Sequence, residues 1–136
     1  MLFRSVLRPG GSIVNLATNW DSLVWHSKDN ERMKRVLSAW DEHAPHPNLP
    51  AELKARLASV GIKPQRQTAL TILENSYNQN SFSFWLAKMI AAFVAGRQPI
   101  TPEEADGWLS EFDSLEQSGE YFYSATPVIT EAVKVK

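Results

Sequence analysis

The 136-residue chain contains no cysteine. That removes disulfide stapling, thiolate catalysis and Cys-based metal sites, and it fits a reducing cytoplasm. An excess of charge of either sign is also missing: 14 Lys and Arg stand against 15 Asp and Glu, scattered along the chain. Such a surface has no basic face to neutralise a phosphate backbone, so nucleic acid is not expected as a partner. The longest apolar stretch, from Phe82 to Val94, is interrupted by Ser83 and Lys88. It falls short of the ~20 residues needed to cross a bilayer, and no membrane partner is expected. The N-terminus has neither a continuous apolar run nor a small-residue cleavage site, so it does not read as a secretory signal, and a cytoplasmic protein is predicted. Only six glycines occur, and none falls in a G-x-G-x-x-G loop, which excludes a dinucleotide cradle within these residues.

What is present is enough for a core, with 43% hydrophobic and 10% aromatic residues. One domain over residues 1–136 is expected. Leu2, Phe3, Val6 and Leu7 share a helical face but lack a cap, so residues 1–7 read as the tail of a helix. Pro9-Gly10-Gly11 breaks it, and Ser12 to Leu16 reads as a short β-branched strand. A polar and aromatic segment, Thr18 to His26, follows. Ser27 or Asp29 is then placed to cap a helix carrying Met33, Val36, Leu37 and Trp40 and stopping near His43. After a loop with three prolines, Pro50 opens a helix bearing Leu53, Leu57 and Val60 and closed by Gly61. Ile62 to Leu73 is predicted as one strand, strongest over Ala69 to Leu73. Two helices follow, Phe82 to Gly96 and Pro102 to Ser118. Thr101-Pro102-Glu103-Glu104 predicts a capping box at the start of the second. Glu120 to Val135 is predicted as the last strand, with Pro127 implying a bulge or an unpaired amide.

The order of elements is α/β with three strands, too few for a complete doubly wound sheet. The first strand is expected to lie at an open edge, apolar on both faces, and an exposed edge of that kind calls for a partner.

The segment Phe3-Arg4-Ser5-Val6-Leu7-Arg8-Pro9-Gly10-Gly11-Ser12-Ile13-Val14 resembles the helix end, Pro-Gly-Gly turn and fifth strand of class I S-adenosylmethionine-dependent methyltransferases. Asn19-Trp20-Asp21-Ser22-Leu23-Val24-Trp25-His26 is similar to the D-W-D-S-type sequence that follows that strand in a subgroup of these enzymes. The order and spacing of the later segments, up to Tyr121-Phe122-Tyr123-Ser124, also resemble the subgroup. The resemblance implies the C-terminal half of a Rossmann-like methyltransferase sheet: strands five, six and seven, the last antiparallel between the other two, with a helical cap. It implies S-adenosylmethionine as cofactor and a small, partly apolar acceptor, while the glycine-rich loop and acidic residue that hold the cofactor have no counterpart here. No cofactor-binding residue is therefore assigned, and the chain alone is expected to be inactive. A separate cofactor-binding half, or self-association through the sheet edge, is the partner this implies. Ala17 and Asn19 depart from the subgroup, which has carboxylates there.

Ligands of open α/β sheets bind beyond the carboxyl ends of strands, which marks Thr18 to His26 as the rim of an active site. His26 and Asp21 are the candidate catalytic residues, able to orient a nucleophile or accept its proton. Thr18, Asn19, Trp20, Trp25, Trp85 and Tyr121 are the candidate substrate contacts, the tryptophans as walls for an apolar group or a sulfonium. The competing reading makes Trp20, Trp25 and Trp85 core residues, Asp21 a turn cap and Tyr121 a plain strand residue. Asp41, Glu42, His43 and His46 match no ligand spacing, and no metal is assigned. The alternative function is a noncatalytic α/β module that pairs through its open sheet edge.

Overall fold

In a computed structural model, residues 6–97 and 99–136 are described. The helix tail expected over residues 1–7 falls largely on residues 1–5, outside the described part. The elements in chain order are β1 (Ser12–Trp25), α1 (Asn30–Trp40), a 3-10 turn (Asp41–His43), α2 (Leu49–Ser59), β2 (Ile62–Ala69), β3 (Ile72–Glu74), α3 (Phe82–Val94), α4 (Pro102–Gln117) and β4 (Tyr123–Lys134). The sheet is open and antiparallel, ordered β1-β4-β2, with the short β3 also paired to β4. The last strand therefore lies between the first two.

The Pro-Gly-Gly turn has a simple steric cause. Gly10 sits at φ 77°, in the left-handed region. A Cβ on Gly11 would meet the Arg8 carbonyl oxygen at 2.8 Å, while the Gly11 N–H donates to that oxygen. Only glycine fits both places. The turn delivers the chain to β4, where Gly10 N–H donates to Lys134 O at 2.8 Å and Lys134 N–H to Gly11 O at 2.9 Å.

Two strands differ from the sequence expectation. β1 does not stop at Leu16 but runs to Trp25, so Thr18 to Trp25 is strand, and only His26 lies beyond its end. Polar residues conceal the alternation in that stretch, and pairing with the 12-residue β4 sustains it. The strand expected from Ile62 to Leu73 is two strands broken at Leu70–Thr71. Ala69 pairs with Val128, which puts Leu70 opposite Pro127. Leu70 N–H donates to Pro127 O at 2.9 Å, but proline has no N–H to return, and the ladder lapses there. The bulge itself lies between Pro64 and Arg66 of β2.

The chain forms two compact units, and β1 and β4 contribute residues to both. The first comprises the described part of Met1–Ser22, Asn48–Ile72 and Ala125–Lys136. Its core joins Leu53 and Leu57 of α2 to Ile62 and Ala132, with Leu7, Ile13, Leu49 and Val60 packed around them. Pro50 occupies the first turn of α2 as expected. The second unit comprises Leu23–Pro47 and Leu73–Ser124. In it α1, α3 and α4 pack on one another. Its centre is aromatic: Trp25 stacks on Phe112 at 5.3 Å, meets Trp108 edge-on at 5.6 Å and touches Tyr123 at 4.6 Å.

The helix starts follow their caps. Asp29 accepts from Arg32 N–H and opens α1, and Thr101 accepts from Glu104 N–H at 3.1 Å and opens α4. The second half of the capping box is replaced, because the Glu104 carboxylate pairs with Arg35 of α1. No helix among the described residues is long and apolar enough to cross a membrane.

Candidate functional site

In the first unit, Thr18, Asn19, Trp20 and Asp21 lie along β1. Asn19 organises a local fold: its Oδ1 accepts the Asp21 N–H at 3.2 Å and its carbonyl accepts the Ser22 hydroxyl at 2.6 Å. Ser22 Oγ in turn accepts Thr126 N–H from β4 at 2.9 Å. Asp21 is exposed, while Thr18 and Trp20 are half-buried. Such local side-chain bonds compete with a sheet ladder, so pairing with β4 is what keeps this segment extended.

The other candidates belong to the second unit. Trp25 is buried in the aromatic centre, with its indole N–H donating to the Tyr121 hydroxyl at 2.9 Å. Tyr121 donates to Ser83 Oγ at 2.6 Å, and Ser83 Oγ bonds the Glu74 carboxylate. Glu74 also accepts the Phe82 and Ser83 N–H groups at 2.8 Å each, so an acid from β3 caps the start of α3. The result is a directed relay from Trp25 through Tyr121 and Ser83 to Glu74. Ser83 is fully buried and cannot meet a solvent-borne substrate. Glu74 is half-buried and lines a depression of about 310 Å³ with Asn75, Ser76, Asn78, Asn80 and Ser81.

His26 is exposed at the end of β1, held by its N–H to Phe122 O at 3.0 Å. Its Nε2 lies 3.7 Å from Glu120, which Lys28 approaches at 3.3 Å. Bonding from Ser118 and Lys28 holds the Glu120 carboxyl below the usual carboxylate range. Trp85 is exposed on α3 between Phe82 and Met89, with its indole N–H on Gln79 O at 2.9 Å. These three make an apolar stripe at helical spacing. A second apolar groove, of about 410 Å³, runs from Leu23, Val24 and Trp25 to Met33 and Leu37 of α1.

The structure thus joins Trp25 directly to Tyr121, leaves Trp85 on an outer helix face, and puts Asp21 and His26 in different units. Glu74 and Ser83 escape sequence reasoning. Nine residues and an irregular loop separate them, and the one available signal was an acid upstream of the Ser81 helix start. His43, for its part, stacks on Trp40 at 3.8 Å. Among the described residues no group of three His, Asp or Glu could hold a metal ion.

Burial pushes the Tyr77 hydroxyl up to about 12 from an ordinary 10.0, with Asp113 adding to the rise. Burial also raises Tyr121 and Tyr123, against the hydrogen bonds of Ser83 and Trp25 to Tyr121. A raised folded value favours the neutral phenol, so its stabilising effect is complete below pH ~10 and fades as pH climbs through ~12. Tyr77→Phe is expected to flatten the fall in stability over that window while leaving neutral-pH stability nearly unchanged. Urea unfolding followed by circular dichroism at stepped pH measures this, and an unaltered alkaline slope would contradict it.

No family model matches the chain, and no curated protein matches it either.

Proposed function

We propose that these residues form the acceptor side of a class I S-adenosylmethionine-dependent methyltransferase acting on a small, partly apolar molecule. The reading is carried by one conjunction. A Leu-Arg-Pro-Gly-Gly turn, both of whose glycines are sterically required, leads into a strand, and the last strand of the chain then lies antiparallel between that strand and the next. That is the order the motif implies for strands five, six and seven. The exposed stripe of Phe82, Trp85 and Met89 on α3 supports an apolar acceptor, since a helix bearing it calls for an apolar neighbour.

The cofactor itself does not fit the residues described. Gly10-Gly11 is the turn, Gly61 and Gly119 close helices, Gly96 follows one and Gly107 lies inside one. None forms a loop between a strand and a helix N-terminus that could cradle the cofactor. The seat for S-adenosylmethionine is assigned to polypeptide other than these 136 residues, and no chemical step is derived through it.

Titration calorimetry with S-adenosylhomocysteine tests the reading. The 136-residue chain is expected to show no binding, and the same chain expressed with the polypeptide encoded upstream of it is expected to bind. Absence of binding in both sinks the methyltransferase reading, and micromolar binding by the chain alone refutes the assignment of the seat elsewhere. The second reading, a noncatalytic module, is favoured by a single observation: among the described residues β1 pairs only with β4.

A further inference from the structure

The start of α1 and the end of β1 enclose a groove within the second unit. Asp29 fixes where the helix begins, and from that start Asn30, Met33, Lys34 and Leu37 fall at i, i+3, i+4 and i+7, on one face. Leu23, Val24 and Trp25 of β1 complete the lining of a space of about 410 Å³. That lies within the roughly 300–1,000 Å³ of small-molecule sites. Leu23, Trp25 and Met33 are buried and form the inner wall, while Val24 stays 52% exposed. Trp25 is held from moving into the space, because its ring stacks on Phe112 and its N–H is bonded to the Tyr121 hydroxyl. Asn30 and Lys34 supply the polar lining, so one cation borders the groove and no carboxylate does. Lys34 pairs with Glu31 at 3.3 Å, but these side chains are 74% and 77% exposed, so solvent screens the pair and another acid can take the place of Glu31.

We propose that this groove seats the methyl acceptor and that the acceptor is a small apolar acid. Its hydrocarbon body lies against Leu23, Val24, Met33 and Leu37, and its single carboxylate meets the Lys34 ammonium and the Asn30 amide. The acceptor's place rests on the methyltransferase reading: ligands of α/β sheets bind beyond the carboxyl ends of the strands, and the groove lies at that end of β1. The class of ligand comes from the groove itself. Its walls are mainly hydrocarbon, a positive ligand would be repelled by Lys34, and a dianion would exceed the one charge available to meet it. A carboxylate accepts from both an ammonium and an amide, and the charge on each side strengthens the bond. The site asks nothing of the backbone groups of β1, which the same reading leaves to the rest of the sheet.

Titration calorimetry of the 136-residue chain with octanoate and with naphthoate, each against the matching neutral alcohol and with no cofactor present, tests the proposal. The acids are expected to bind about five- to tenfold more tightly than the alcohols. Lys34→Gln is expected to erase most of that preference, and Glu31→Gln, which removes the competing acid, to tighten binding of the acids about twofold. Val24→Glu sets a like charge in the groove and is expected to weaken the acids more than about tenfold, with circular dichroism unchanged. Equal binding of acid and alcohol, affinity unmoved by Lys34→Gln or Val24→Glu, or no binding of any probe overturns the proposal. A dimer in sedimentation velocity that Val24→Glu dissolves would put a second copy in the groove and overturn it too. None of these outcomes depends on the S-adenosylhomocysteine titration, so the acceptor class and the methyltransferase reading fail separately.

Discussion

Trp108→Ala is expected to cost about 3–5 kcal/mol, the range for emptying a large aromatic from a core that cannot collapse. Trp108 has no exposed surface and lies in van der Waals contact on several sides. Its ring meets Phe112 edge-on at 4.9 Å and Trp25 edge-on at 5.6 Å. The indole N–H has a soft partner in Met33 Sδ at 3.3 Å, so truncation also removes that contact. Trp108 belongs to α4, and α1 and α3 pack on that helix, which limits relaxation. Because whole domains are stable by about 5–15 kcal/mol, the variant should sit near its unfolding midpoint at modest denaturant. Chemical unfolding followed by circular dichroism measures it, and a loss under ~1 kcal/mol would show that the ring is not the keystone of the second unit.

Glu111→Ala is the second large effect, expected at about 3 kcal/mol. One carboxylate serves three groups: Oε1 accepts Ser27 Oγ at 2.7 Å and Arg32 Nη2 at 3.3 Å, and Oε2 accepts Lys28 N–H at 2.9 Å. The Glu111 and Arg32 side chains are 12% and 19% exposed, so removing the acid leaves a nearly buried guanidinium with only the Asp29 carboxylate at 3.9 Å and the buried Ser27 hydroxyl with only Asp29 O at 3.1 Å. Glu111→Gln keeps two of the acceptor contacts and should lose roughly half as much. Lys34 and Glu31, also 3.3 Å apart, are 74% and 77% exposed. Breaking that pair should change stability by less than ~0.5 kcal/mol, because solvent screens it. Equal losses from Glu111→Ala and Glu31→Ala in denaturant titrations would refute the claim that burial, and not ion pairing as such, sets the size of the effect.

The exposed stripe on α3 and the groove beside α1 show how far apolar periodicity reaches as a guide. Phe82, Trp85 and Met89 belong to the same periodic pattern as Leu86 and Ile90, yet the first three face outward and the other two are buried. A pattern wide enough to cover more than half a helix states that two neighbours are needed, without saying which one the chain supplies. The same limit applies to the aromatic candidates. Trp25 and Trp85 are both tryptophans beside polar segments, and only packing sends one to the centre and leaves the other at the surface.

Local chemistry was enough to determine the helices of this protein and their ends. Asp29 and Thr101 cap α1 and α4, Pro50 opens α2, and glycines follow where the helices stop, because each of these effects acts within one turn of chain. The Pro-Gly-Gly turn and the strand after it are local in the same sense. Tertiary structure alone decided how far β1 runs, where the Ile62–Glu74 segment breaks, and that Glu74 would leave β3 to cap α3 and end a relay from Trp25. The first two outcomes depend on β4, distant in sequence from both partner segments, whose length and Pro127 set where backbone pairing can continue. A strand has no internal hydrogen bonds, so its extent belongs to its partner, whereas a helix closes its bonds within itself.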